Sequence, residues 1–230
     1  MQIEVLDFVE GARKARGVAV VIDVFRAFSV ACYAYARGAK RVIPVAELDK
    51  ALALKREHPE YLTIGERGGK KVDGFDFGNS PTEISEIDVR GRTIVHTTSA
   101  GTQGLTNASQ ADVVLTGSLV NAAAICAYIE ALKPERVSIV RMGKEAKERS
   151  AEDDLCAEVL RGRLSGEDFD VSTVRERLRN CPAAKKFFDP AATWAPEGDF
   201  NLCTDVDRFG FVLRLSNGTP GSAYLEKINL

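Results

Sequence analysis

Two acid–base pairs in this chain have the make-up of a phosphate-handling site. Asp23 is followed three positions later by Arg26, and Glu66-Arg67 sits in the glycine-bearing stretch GERGGK, Gly65–Lys70. Hydroxyls and glycines gather at TTSAGT (Thr97–Thr102) and at Gly117-Ser118. Arg141 closes another apolar run, and Glu152-Asp153-Asp154 is a compact acidic run. Carboxylates at several such places suit a hard divalent cation such as magnesium, which takes oxygen ligands. Arginines and glycine-bearing helix starts suit phosphate or another oxyanion. The two histidines, His58 and His96, read as structural. A cation site, an anion cradle and no imidazole point to chemistry on a phosphate ester, where a protein mainly neutralises and orients charge.

Each of these residues also has a plainer reading. Asp23 at a strand end can cap the next helix, and Arg26 can be a surface residue. Glu66 to Gly69 can be a turn, although a charged pair within a glycine-rich strand exit favours function. Strand-end hydroxyls such as Thr97 to Ser99 are common, and acids favour the first turn of a helix, as at Glu152 to Asp154.

The elements that must position these residues follow from hydrophobic patterning. Gly17 to Asp23 (GVAVVID), Arg41 to Val45, Tyr61 to Ile64, Thr93 to Thr97, Asp112 to Thr116, Arg136 to Met142 and Phe209 to Leu215 read as strands. Pro44 places the end of the second near an edge or exit. Helices are expected over Ala27 to Arg37, with Gly38 as a stop, and over Glu47 to Glu57, Leu119 to Leu132 and Glu152 to Arg161. Ser150 is a candidate cap for the last. Ser80, Pro81 and Glu83 fit a capping box, and Ser99 to Thr102 reads as a turn into a helix. Residues 165 to 190 read as polar and helical, 189 to 198 as a loop, and the tail adds a late strand or two. Alternating strands and helices through residue 160 predict an α/β fold with a mostly parallel sheet. Ligands in such folds bind beyond the carboxyl ends of the strands, where the residues above stand.

Composition narrows the class. The 230 residues are 45% hydrophobic and 28% charged, with a formal net charge of −2. That is an ordinary soluble balance, without the basic excess of a nucleic-acid or membrane-surface binder. The length fits one domain, or two intimate subdomains dividing near residue 160. Five scattered cysteines (Cys32, Cys126, Cys156, Cys181, Cys203) form no CxxC pair and read as buried free thiols. No basic segment leads into an apolar one at the start, and apolar runs such as Val18 to Ile22 are too short to span a bilayer, so a cytoplasmic protein is expected. A homodimer is the default for a small enzyme of this kind.

Familiar phosphate signatures fail. GERGGK is one residue short of a P-loop, and Lys71 occupies its Ser/Thr position. No cysteine is followed six positions later by arginine. Asp205 to Phe209 (DVDRF) approaches an aspartyl-phosphatase motif too close to the last residue for that fold's remaining elements.

Six blocks nevertheless occur in order: DVFRAFS (Asp23 to Ser29), GERGGKKVDGFDFGNSP (Gly65 to Pro81), TTSAGT (Thr97 to Thr102), GSLVNA (Gly117 to Ala122), AEDDLCA (Ala151 to Ala157) and DVDRFGFV (Asp205 to Val212). Together they resemble the 2-phosphosulfolactate phosphatase family over nearly the whole chain. The resemblance implies a three-layer α/β/α fold with a mostly parallel or mixed sheet. It also implies a magnesium-dependent phosphoric monoester hydrolase acting on 2-phospho-3-sulfolactate or related 2-hydroxy-acid phosphates. In methanogen members that reaction serves coenzyme M synthesis. Two departures stand out: Ala100 replaces an asparagine common in the family, and Glu158 replaces a glycine.

On this reading Asp23, Arg26, Glu66 and Arg67 are the catalytic candidates, and Asp23, Glu66, Glu152 and Asp153 the magnesium ligands. Substrate-binding candidates are Asn79, Ser80, Thr98, Ser99, Gly101, Thr102, Gly117, Ser118, Asn121 and Arg141. Lys70 and Arg208 are further cations for a small substrate bearing phosphate, carboxylate and sulfonate. The nucleophile is either water or Asp23. Two other readings compete. One is a cysteine hydrolase of the isochorismatase type, which requires a nucleophilic thiol at a helix start, whereas Cys126 is expected mid-helix. The other is a non-catalytic anion-binding module.

Overall fold

The computed structural model describes residues 1–167, 169–216 and 223–230. Its strands are β1 (Gln2–Asp7), β2 (Val18–Ile22), β3 (Arg41–Pro44), β4 (Leu62–Arg67), β5 (Lys70–Lys71), β6 (Thr93–Thr97), β7 (Val113–Gly117), β8 (Arg136–Arg141), β9 (Phe211–Leu215) and β10 (Leu225–Asn229). The helices are α1 (Phe8–Lys14), α2 (Ala27–Ala36), α3 (Leu48–Glu57), α4 (Pro81–Glu86), α5 (Gly101–Asn107), α6 (Ala122–Leu132), α7 (Ala151–Leu164), α8 (Val174–Arg179) and α9 (Glu197–Cys203). The protein is α/β, with helices flanking a large mixed sheet of order β1-β8-β2-β7-β9-β10-β3-β6-β4-β5.

Two parallel blocks, β1-β8-β2-β7 and β3-β6-β4, are joined through the antiparallel hairpin β9–β10. Strand β2 shows why its sequence is a continuous apolar run. Ala19 and Val21 point into one core with α1, α2 and α5, whereas Val18, Val20 and Ile22 point into another with α6, α7 and α9. A strand covered on both faces has no solvent side on which to place polar residues. Helix α2 is likewise apolar all round, and nine of its ten residues are buried, so its alanines and Cys32 allow close approach on every side.

Several expectations change in detail. Strand β1 and helix α1 were not legible in the sequence, because β1 is a half-exposed edge strand without clean alternation. Pro44 is the last residue of a strand lying between β10 and β6, which makes it an exit rather than an edge marker. The helix expected from Leu119 begins as a 3-10 turn, Leu119–Asn121, and the end of the expected loop at 189 to 198 runs into α9. Ser80 caps α4 by accepting the Glu83 N–H at 3.1 Å, while the Glu83 carboxylate accepts from Gly78 instead of closing the box on Ser80. Ser150 holds the cap position of α7 without a side-chain cap bond. No helix among the described residues is long and apolar enough to cross a membrane.

Candidate active site

Asp23 follows the third strand in sheet order and Gly101 follows the eighth, a separation of about 24 Å in a flat sheet at ~4.8 Å per strand. Yet the Gly101 N–H donates to Asp23 Oδ2 at 2.8 Å. The reach of the loop after β6 and the twist of the sheet together close that gap, and residues at the carboxyl ends of β2, β4 and β6 line one cavity. That cavity has a volume of about 480 Å³. Its walls carry Asp23, Phe25 and Arg26 after β2, Glu66, Gly68 and Gly69 at the β4 exit, Asn79, and Ser99 and Ala100 after β6. The remaining wall is formed by the loop from Gly143 to Ser150, the first turn of α7 with Glu152 and Asp153, and Lys186 and Trp194.

The carboxylates are clamped by backbone. Asp23 accepts from the Ala27 and Gly101 N–H groups, at the starts of α2 and α5, so it caps and faces the cavity at once. Glu66 accepts from Ser99 N–H and Gly69 N–H, both at 2.6 Å. Asp153 accepts from Val24 N–H at 2.9 Å and Gly143 N–H at 2.7 Å. Glu152 Oε2 is buried without a partner, as is Ser150 Oγ. Burial raises the Asp23 carboxyl to about 6, with repulsion from Glu66 adding to it. Burial and the Asp23 charge together lift Glu152 to about 7. Asp153 is pushed well up by burial and by both Glu152 and Asp23. These carboxylates disfavour one another as anions.

Arg26 is 2% exposed and supplies the facing cation. Its Nη1 donates to Asp199 Oδ2 at 2.7 Å and to the Trp194 carbonyl at 2.9 Å, and its Nη2 donates to the Gly69 carbonyl at 2.8 Å. Of the five N–H donors a guanidinium carries, two remain uncommitted. Asp199, fully buried, also accepts from Ser80 Oγ at 2.6 Å and Thr82 N–H at 3.0 Å. Lys186 lines the same wall, and burial together with Arg26 pushes its ammonium down.

The cavity thus gathers Asp23, Arg26, Glu66, Asn79, Ser99, Glu152 and Asp153. His96 Nε2 pairs with Asn79 Oδ1 at 3.0 Å and burial lowers its imidazole to about 4, so it serves as the neutral support expected of it. Arg67 does not line the cavity. Consecutive strand side chains face opposite ways, so where Glu66 looks in, Arg67 reaches Thr97 Oγ1 and the Ala46 carbonyl. Thr98 and Thr102 exchange hydrogen bonds that cap α5, and Gly101 acts through its N–H. Ser80 is spent on its cap and on Asp199. Gly117 packs on β2, while Ser118 and Asn121 bond to each other and onward to the Phe211 carbonyl. Arg141 pairs with Asp7 and Asp154. Lys70 is exposed on β5, and Arg208 is exposed beside Asp205. The DVDRFGFV block is a tie: Asp207 accepts from Ala123 N–H at the start of α6 and pairs with Arg163. Ala100 lines the cavity, whereas Glu158 pairs with Arg177 on the surface. All five cysteines are buried, none lines the cavity, and Cys126 sits within α6 with its thiol pushed up to about 12 by burial.

Lys186, Trp194 and Asp199 carried no signal in the sequence. They lie in a polar, proline-bearing segment, and Asp199 meets Arg26 across 173 positions.

Among the described residues no three His, Cys, Asp or Glu side chains form a ready metal cage. Magnesium does not need one, since it keeps several waters and takes one or two carboxylates. The unpartnered Glu152 oxygen fits such an ion, as do six acidic against four basic side chains on the walls, because a polyanionic ligand would otherwise be repelled.

An α/β sheet whose strand ends border a cavity of clamped carboxylates beside a buried arginine has the make-up of an enzyme active site. A profile of 2-phosphosulpholactate phosphatase matches residues 6–218. A protein of Caldanaerobacter subterraneus subsp. tengcongensis, named probable 2-phosphosulfolactate phosphatase, is 35% identical over 214 residues, covering 86% of this chain and 88% of its own. One of Bacillus subtilis with the same name is 30% identical over 200 residues, 85% and 86% of the two chains. Another, of Caldicellulosiruptor saccharolyticus, is 43% identical over 143 residues, 60% and 59% of the two chains. The chain belongs to the 2-phosphosulfolactate phosphatase family.

Proposed function

We propose that this protein hydrolyses 2-phospho-3-sulfolactate, or a closely related 2-hydroxy-acid phosphate, with magnesium. The observation that carries this reading is the convergence of Asp23, Glu66, Glu152 and Asp153 with Arg26 on one cavity. One or two of those carboxylates would hold the ion directly and the others through its waters. When bound, magnesium supplies charge neutralisation at the phosphoryl oxygens and a more acidic water. Arg26 offers its two free N–H donors to the equatorial oxygens as charge spreads in the transition state. Glu152, on the cavity wall with one unpartnered oxygen, would accept a proton of the attacking water. The clamps on Asp23, Glu66 and Asp153 keep the walls from reorganising as charge moves.

The cysteine-hydrolase reading is disfavoured because no thiol reaches the cavity among the described residues. The test is phosphate release by purified protein from 2-phospho-3-sulfolactate and phospholactate, with magnesium and with EDTA. Release from the sulfonated ester that EDTA abolishes is expected. Release that EDTA leaves untouched removes the metal from the mechanism. No release from any 2-phospho acid removes the reaction and leaves an anion-binding module.

A further inference from the structure

We propose that Lys186 touches the transferred phosphoryl group and, with Arg26, forms the phosphate-binding end of the cavity. This deepens the reading above and rests on it. Lys186 lies in the 3-10 segment Pro182–Phe188. The next residue, Phe187, is buried edge-on against Phe25 at 5.1 Å between ring centroids and also packs on Phe200. Phe25 immediately precedes Arg26, so one aromatic cluster fixes the position of both cations.

Arg26 spends three of its donors on Asp199, Trp194 and Gly69, which pin its guanidinium in place. Lys186 spends none. Among the described residues its Nζ makes no hydrogen bond and no ion pair within 4.0 Å, although it lines the same cavity as Asp23 and Glu152. A half-buried ammonium beside a buried guanidinium, with no carboxylate closing on it, is unfavourable in the free protein. Burial and the Arg26 charge accordingly disfavour the charged lysine. A phosphoryl dianion placed between the two cations removes that cost. The reacting phosphorus must stand near Asp23 and Glu152, which assigns this end to phosphate. Lys144 and Arg149, on the β8–α7 loop that also lines the cavity, are left for the substrate's other acid groups.

Calorimetric titration with inorganic phosphate and, separately, with 3-sulfolactate, both in magnesium buffer, tests this on wild type, Lys186→Met and Lys186→Arg. Lys186→Met is expected to weaken phosphate binding at least tenfold while sulfolactate binding stays within threefold, and Lys186→Arg is expected to recover part of the loss. Because methionine removes an unpaired charge and keeps the volume, its thermal midpoint is expected to be no lower than that of wild type. Unchanged phosphate affinity in Lys186→Met overturns the proposal, as does a loss confined to sulfolactate or no measurable phosphate binding by wild type. A wild type that binds phosphate through Lys186 yet hydrolyses no phosphosulfolactate keeps this subsite and defeats the proposed reaction. A wild type that hydrolyses it while Lys186→Met still binds phosphate normally does the reverse.

Discussion

Replacing Asp199 with alanine strands the Arg26 guanidinium without its counter-charge in a setting where the two side chains are 2% and 0% exposed. The same change leaves Ser80 Oγ and Thr82 N–H without their acceptor. Removing one partner of a buried ion pair costs about 3–5 kcal/mol, because the remaining charge has lost both water and partner. Each orphaned neutral donor adds about 1 kcal/mol where water cannot enter. The expected loss for Asp199→Ala is therefore about 5–7 kcal/mol, a large share of the stability of a domain this size. Urea unfolding measures it as a fall in midpoint at constant m-value. The double variant Arg26→Ala/Asp199→Ala is expected to lose less than the sum of the single changes, since both act through one pair. A loss under 1 kcal/mol for Asp199→Ala at unchanged m, or strict additivity in the double variant, would refute the reasoning.

Other perturbations read the same cavity. Burial raises the folded Asp23 carboxyl to about 6 from its ordinary value of 3.8, so between those values the folded state holds more protons and stability falls as pH rises. In metal-free protein, wild type should lose up to about 3 kcal/mol relative to Asp23→Asn between pH 4 and pH 8; parallel pH profiles of the two would contradict this. A Cβ at Gly101 would stand 2.8 Å from Asp23 Oδ2 and 3.0 Å from Ala27 Cβ. Gly101→Ala should therefore displace the Asp23 carboxylate, costing about 1–3 kcal/mol in stability and a larger fraction of phosphate release. Wild-type turnover in that variant would show that Asp23's position is not critical. Alkylating reagents under native conditions should leave phosphate release intact, since all five thiols are buried away from the cavity; rapid inactivation by iodoacetamide would revive the thiol mechanism.

Part of the site was legible because its residues sit where local physics displays them. Asp23 ends a strand buried on both faces, so an acid there interrupts an otherwise unbroken apolar run. Glu66 stands in a glycine-rich strand exit, and Glu152 and Asp153 open a helix. Legibility failed where a residue's role depends on facing direction or on distant partners. Arg67 shares Glu66's neighbourhood in sequence but not its side of the strand. Arg141 ends a strand and Ser118 follows one as expected, with Asn121 in the turn after it, yet their side chains are taken by Asp7, Asp154 and the C-terminal hairpin.

What the chain's order alone determined is most of the elements and the positions of most of the acidic residues, because apolar periodicity and helix starts are local properties. What folding decided is which of those residues meet. Sheet twist and the loop after β6 bring Gly101 to Asp23, and the packing of residues 182–199 delivers Lys186 and Asp199 to Arg26. Those meetings depend on accumulated strand twist and on burial shared between segments more than 150 residues apart, and no local window of sequence carries either quantity.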